Sequence, residues 1–159
     1  MADKFIIEME SGDVMEGELY PEVAPISVAN FLKLMDEDFF AGLIFHRVIP
    51  GFMIQGGGFD KKMNHKDAAS IKGEFRTNGV ANDLIHTRGV LSMARTNVPD
   101  SASSQFFIMH HDAPHLDGQY AAFGKVTSGL EVIDKIVSAS RDRSDCPYEP
   151  IVIKTIKRG

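Results

Sequence analysis

The chain has 159 residues, 43% of them apolar and 25% charged, which is ordinary for a globular protein and enough for one domain with a sizeable core. Its net charge is −5 with no long run of Lys or Arg, so it lacks the electrostatic footprint of a nucleic-acid binder. No segment approaches the ~20 apolar residues that cross a bilayer.

No apolar stretch of signal-peptide length follows Met1-Ala2-Asp3-Lys4, and the single cysteine, Cys146, cannot form an internal disulfide. Both make a reducing, cytoplasmic location the expectation. Cys146 precedes Pro147 in a polar stretch without a local activating base, and reads as an ordinary thiol.

In chain order, Phe5-Ile6-Ile7-Glu8-Met9 and Val14-Met15-Glu16-Gly17-Glu18-Leu19 flank Ser11-Gly12-Asp13, the pattern of a β-hairpin. Pro25 suits a first helical position. Val28, Phe31, Leu32 and Met35 follow at helical spacing, and Asp36-Glu37-Asp38 closes the segment. From Leu43 to Phe59 the pattern turns strand-like, broken at Pro50-Gly51. Residues 60–88 are mostly polar and aperiodic, so short strands or turns are expected there.

Three more strands are expected at Gly89–Ala94, Gln105–Met109 and Tyr120–Val126. Ser128 and Glu131 have capping-box spacing ahead of a second helix with Val132, Ile133, Ile136 and Val137 on one side. Ile151–Ile156 reads as a closing strand. Many short strands with two helices suggest a closed antiparallel sheet whose ends the helices plug. No repeat or linker divides the chain, so one domain over 1–159 is expected.

Two segments carry unusual chemistry. Phe45–Gly58 sets one Arg and one Gln among aromatic and aliphatic residues, with no Asp or Glu between Leu43 and Phe59 to neutralise Arg47. Two placements stay open: a guanidinium paired with a distant carboxylate or snorkelling to water, or one exposed beside an apolar pocket. Ser103-Ser104-Gln105-Phe106-Phe107-Ile108 again puts an amide in an aromatic run. Phe106 and Phe107 must point to opposite faces of their strand. Neither segment by itself specifies a reaction.

Together, Phe45–Gly57 and Ser103–Ile108 resemble the two hallmarks of the cyclophilin family. Leu91-Ser92-Met93-Ala94, Leu116-Asp117-Gly118 and Phe123-Gly124-Lys125-Val126 are similar to it as well and stand in the expected order. The resemblance spans nearly the whole chain. It implies a mainly β fold, a closed eight-stranded antiparallel barrel capped by two helices, and a peptidyl-prolyl cis-trans isomerase that assists protein folding.

The resemblance also implies residue roles. Arg47 takes the catalytic role. Phe52, Met53, Phe107 and Leu116 surround the substrate proline ring, while Gln55, Gln105 and the backbone near Ala94 and Arg95 hold the peptide. His46 matches a family residue beside the site and is expected to be structural.

The chain departs from many members at three site positions. His115 stands where many eukaryotic members have Trp, so cyclosporin is expected to bind weakly. Tyr120 replaces a His and Arg95 a frequent Asn, changes familiar in bacterial members. The implied partners are proline-containing peptides and protein substrates, folded or unfolded. No metal, cofactor, nucleic acid or membrane is called for, and a monomer is expected.

Other readings fit less well. His110, His111, His115 and Asp112 do not form the helical His-Glu-x-x-His motif of a zinc hydrolase. No Lys-Ser or Lys-Thr follows Gly56-Gly57-Gly58, and Gly118 to Gly124-Lys125 is misspaced for a P-loop. Ser103 and Ser104 lack the Gly-x-Ser-x-Gly elbow of a hydrolase. The main rival is a proline-peptide binding module without turnover, and an intact Arg47 favours the enzyme.

Overall fold

The computed structural model describes residues 3–159. It contains eight strands: β1 (Asp3–Met9), β2 (Val14–Leu19), β3 (Leu43–Ile49), β4 (Met53–Asp60), β5 (Val90–Met93), β6 (Phe106–Met109), β7 (Ala122–Ser128) and β8 (Ile153–Arg158). Helices α1 (Pro25–Asp36) and α2 (Leu130–Val137) complete it. The strands form one antiparallel sheet in the order β3-β4-β6-β5-β7-β2-β1-β8.

That sheet curls into a nearly closed barrel. Its two ends meet where the Phe45 N–H donates to Ile151 O at 3.1 Å and the Gly42 N–H to Ile153 O at 2.9 Å, around an Ile44–Val152 bridge. The seam leaves few exposed edge groups that could template pairing with another chain.

Strand alternation decides what fills the barrel. On β1, Phe5, Ile7 and Met9 point inward and are buried, while Ile6 and Glu8 lie between them on the other face. Helix α1 begins at Pro25 and buries Ser27, Val28, Phe31, Leu34 and Met35. Leu34 takes the buried place that the sequence stripe assigned to Leu32, which is only partly covered. The Phe31 ring plugs the barrel, with ring centroids of Phe40, Phe106 and Phe123 at 5.2, 5.5 and 5.2 Å. Such aromatic clusters add edge-to-face attraction to a large buried area.

Helix α2 buries Val132, Ile133, Ile136 and Val137, as its spacing predicts. Its start differs from expectation. The N-cap is Gly129 with φ of 88° and makes no side-chain capping bond, because β7 runs on through Ser128. A residue held in the sheet ladder is unavailable as a cap, so the Ser128–Glu131 capping box does not form.

The polar stretch between β4 and β5 is ordered largely without strands. It holds a Phe59–His65 bridge and a short 3₁₀ turn, Arg76–Asn78. Side-chain bonds do the rest. Glu74 is buried and accepts from the Ser27 N–H and from Ser27 Oγ at 2.6 and 2.8 Å. A carboxylate at the first turn of α1 satisfies a free backbone donor and complements the helix dipole. Asn82 Nδ2 then donates to Glu74 O and Ala122 O at 2.9 and 2.8 Å, tying the stretch to β7.

Candidate active site

The outer face of the same sheet carries a second apolar cluster: Met53, Val90, Phe107, Met109, Ala113, Leu116 and Ala122, with Phe52, Ala94 and Tyr120 packed against it. Its origin is the pleat. Phe106 joins the core inside the barrel, whereas Phe107 falls on the outer face. Gln55 pairs with Phe107 across β4 and β6, and with Arg47 across β3 and β4. Three neighbouring strands thus bring a guanidinium, an amide and an aromatic ring side by side.

A hollow of about 130 Å³ opens there, lined by Arg47, Phe52, Met53, Gln55, Ala94, Arg95, Phe107, Leu116 and Tyr120. All nine are residues the sequence singled out. The other two, Gln105 and His115, each contact a lining residue. Gln55 Nε2 donates to Gln105 Oε1 at 3.0 Å, and the His115 ring lies against Phe52 at 5.8 Å. Leu116 enters from a 3₁₀ turn, Pro114–Leu116, laid over the sheet.

The surroundings of Arg47 leave it unpaired by any carboxylate among the described residues. The side chain is exposed. Its one side-chain hydrogen bond among the described residues, from Nη1 to Gln55 Oε1, is long at 3.4 Å. Most of its donors therefore remain available at the mouth of an apolar slot.

Phe107 is braced from both sides. Tyr120 meets it edge-on at 5.7 Å, and His86 stacks on it at 6.1 Å with ring planes 19° apart. His86 is fully enclosed: Nδ1 lies 2.9 Å from Asp117 Oδ1 and Nε2 2.9 Å from Ser92 Oγ. Burial drives its pKa below the ordinary histidine value despite Asp117, so the ring is neutral. A carboxylate can only accept, which puts the proton on Nδ1 and leaves Nε2 to accept from Ser92. Ser92 and Asp117 stand within motifs of the sequence, whereas His86 lies in the aperiodic stretch, where no spacing marks it.

Arg95 lies between two rings, its guanidinium 4.6 Å from the Phe75 centroid and 4.7 Å from that of Tyr120. It also donates to Gln119 O at 2.6 Å and Thr96 O at 2.9 Å. The two unusual residues, Arg95 and Tyr120, thus form one stacked unit. His46 packs on Phe59 at 4.7 Å with Nδ1 buried and unpartnered. Burial, then the Arg47 charge, lowers its pKa to about 4.

A larger groove of about 480 Å³ lies elsewhere, between α2 and the β1–β2 turn. The one cation lining it, Lys135, is bonded to Asp13 at 2.7 Å. It offers no free donor comparable to Arg47.

The family profile described as cyclophilin type peptidyl-prolyl cis-trans isomerase/CLD matches residues 4–158. The chain belongs to that family. This cyclophilin is 46% identical over 164 residues to a peptidyl-prolyl cis-trans isomerase of Acinetobacter baylyi, covering 96% of the chain and 84% of the relative. It is 51% identical over 123 residues to peptidyl-prolyl cis-trans isomerase B of Bacillus subtilis, covering 77% of the chain and 82% of the relative. Among solved structures, a Cryptosporidium parvum cyclophilin-type isomerase in the presence of the dipeptide Ala-Pro superposes with a TM-score of 0.86. That protein is 31% identical, with 98% of each chain covered. The cyclophilin here is accordingly a peptidyl-prolyl cis-trans isomerase with a barrel of the family type. No helix among the described residues is long and apolar enough to cross a membrane.

Proposed function

We propose that this cyclophilin equilibrates X-Pro peptide bonds in protein chains by non-covalent catalysis at the Arg47 hollow, and so assists folding. The barrier to amide rotation is ~18–20 kcal/mol because resonance must be broken. The two isomers differ little before proline, so an agent that lowers the barrier re-equilibrates them usefully. No bond is cleaved, and no nucleophile is needed.

As the bond twists, conjugation is lost and the prolyl nitrogen regains a localised lone pair. A donor aimed at that nitrogen binds the twisted state more tightly than either planar state, and only such differential binding lowers a barrier. Arg47 suits this role. It stays charged at every relevant pH and is not neutralised by a neighbouring carboxylate. Phe52, Met53, Phe107 and Leu116 grip the ring. Gln55, Gln105 and the backbone at Ala94 and Arg95 hold the flanking peptide, with Tyr120 and His115 at the margins.

The observation that carries this reading is a free guanidinium at the mouth of a small slot walled by Phe52, Met53, Phe107 and Leu116. Proline peptides are the expected ligands, in line with the Ala-Pro present with the Cryptosporidium relative. Cyclosporin is expected to bind weakly, because the imidazole of His115 offers less apolar surface than an indole.

Arg47→Ala should lower kcat/KM by about 10²–10³-fold, the worth of one well-aimed donor in a water-poor site, with the fold intact. A protease-coupled proline-peptide assay measures it. Undiminished turnover would refute the Arg47 mechanism, and peptide binding without turnover in the wild type would make the protein a binding module.

A further inference from the structure

The slot wall formed by Phe52 and Met53 hangs from the turn Ile49-Pro50-Gly51-Phe52. Proline occupies its second position and Gly51, with φ of 77°, its third. The Phe52 N–H closes it onto Ile49 O at 3.0 Å. This is the type II arrangement, in which the N–H of the third residue points away from the turn with no partner inside it.

Here that N–H has a partner. The Gly51 N–H donates to His110 Nδ1 at 2.8 Å. An amide nitrogen cannot accept, so Nδ1 must carry the lone pair and Nε2 the proton. Nε2 lies 3.0 Å from Asp134 Oδ1 on α2, and Asp134 is gripped by Arg88 through Nη1 and Nη2 at 2.9 and 2.8 Å. The Arg88 bond holds the Asp134 carboxyl below its usual pKa, so this oxygen only accepts. Backbone bonds close the unit: the His110 N–H donates to Phe52 O at 2.9 Å, and Arg88 Nη1 to His110 O at 3.1 Å.

We infer that His110 is a positioning residue for the proline slot, locked by Asp134 and Arg88 in the Nε2–H tautomer so that Nδ1 fixes the turn presenting Phe52 and Met53. Helix α2 thereby takes part in holding one wall of the site. None of these three side chains lines the hollow, so removing the unit loosens the grip on the ring rather than the chemistry at Arg47. The inference rests on the isomerase reading of the hollow.

Two substitutions separate acceptor from donor. The amide of His110→Gln reaches the Nε2 position and can still donate to Asp134, but it leaves Gly51 unpartnered. The amide oxygen of His110→Asn falls near Nδ1 and can accept from Gly51. With a proline peptide, His110→Gln should raise KM about three- to tenfold with kcat unchanged, the equivalent of one lost hydrogen bond. His110→Asn should keep KM within about twofold of wild type. Nitrogen NMR of the wild type at mildly alkaline pH should show Nε2 protonated and Nδ1 bare, and thermal unfolding should show both variants folded.

Equal KM values in the two variants, a loss confined to kcat, or a proton on Nδ1 would each overturn the inference. A wild type that binds proline peptide without turnover would instead defeat the isomerase reading. The tautomer and the peptide Kd of the two variants would then still test the role of His110.

Discussion

Arg47 acquires its potential through pairing rather than through its own surroundings in the chain. On β3 it faces Gln55, which faces Phe107 in turn, so the pleat delivers charge, amide and ring to one face. If the guanidinium acts by aiming a donor, charge alone should not suffice. Arg47→Lys keeps the charge on a flexible stem but loses the planar fork. It should therefore lose about 10–100-fold in kcat, since misaim forfeits most of a donor worth ~3–4 kcal/mol. The coupled proline-peptide assay decides, and full activity in the lysine variant would mean that a diffuse positive potential is sufficient. Arg95 is different: stacked between Phe75 and Tyr120 and bonded to two carbonyls, it is spent on shaping the wall.

At the scale of elements, periodicity was the reliable guide. The faces of α2 and of the β1–β2 hairpin follow directly from apolar spacing. Helix starts were harder to read, because their partners come from far away in sequence. Ala24 provides no side-chain cap to α1; Glu74, 47 residues beyond Ser27, supplies the missing acceptor. Glu74→Ala would strand that buried N–H and hydroxyl and remove the anchor of the segment before β5. Unpaired buried donors cost ~1–3 kcal/mol each, so a loss of about 2–4 kcal/mol in urea unfolding is expected. A change under about 0.5 kcal/mol, the range of ordinary surface substitutions, would show that water replaces Glu74 without penalty.

For the whole molecule, the histidines set an acid limit. His46, with its pKa lowered to about 4, and His86, lowered as well, are both held neutral mainly by burial. Each takes up a proton more readily unfolded than folded. Between their unfolded values near 6.5 and the lowered folded ones, the unfolded state binds more protons. Stability is therefore full above that window and declines as pH falls from about 6.5 towards about 4. Urea midpoints taken across this range should drop, and His46→Asn should flatten part of the slope. A midpoint that stays level, with His86 still in place, would mean that both rings accept protons without leaving their folded sites. The net charge of −5 leaves the pocket itself unusual, since its lining holds Arg47 and Arg95 and no carboxylate.

By itself the sequence determined the approximate places of the strands, the buried face of α2 and most of that of α1, and the opposite directions of Phe106 and Phe107, because periods of 2.0 and 3.6 are local properties of the backbone. Through its resemblance to the family it also named every residue that lines the hollow. Only the tertiary structure decided whether Arg47 was paired or free, that His86 and Asp117 brace Phe107, and that His110 reaches Gly51 across 59 positions. Those facts depend on hydrogen bonds and packing between segments distant in the chain. Their geometry exists only once the barrel has closed.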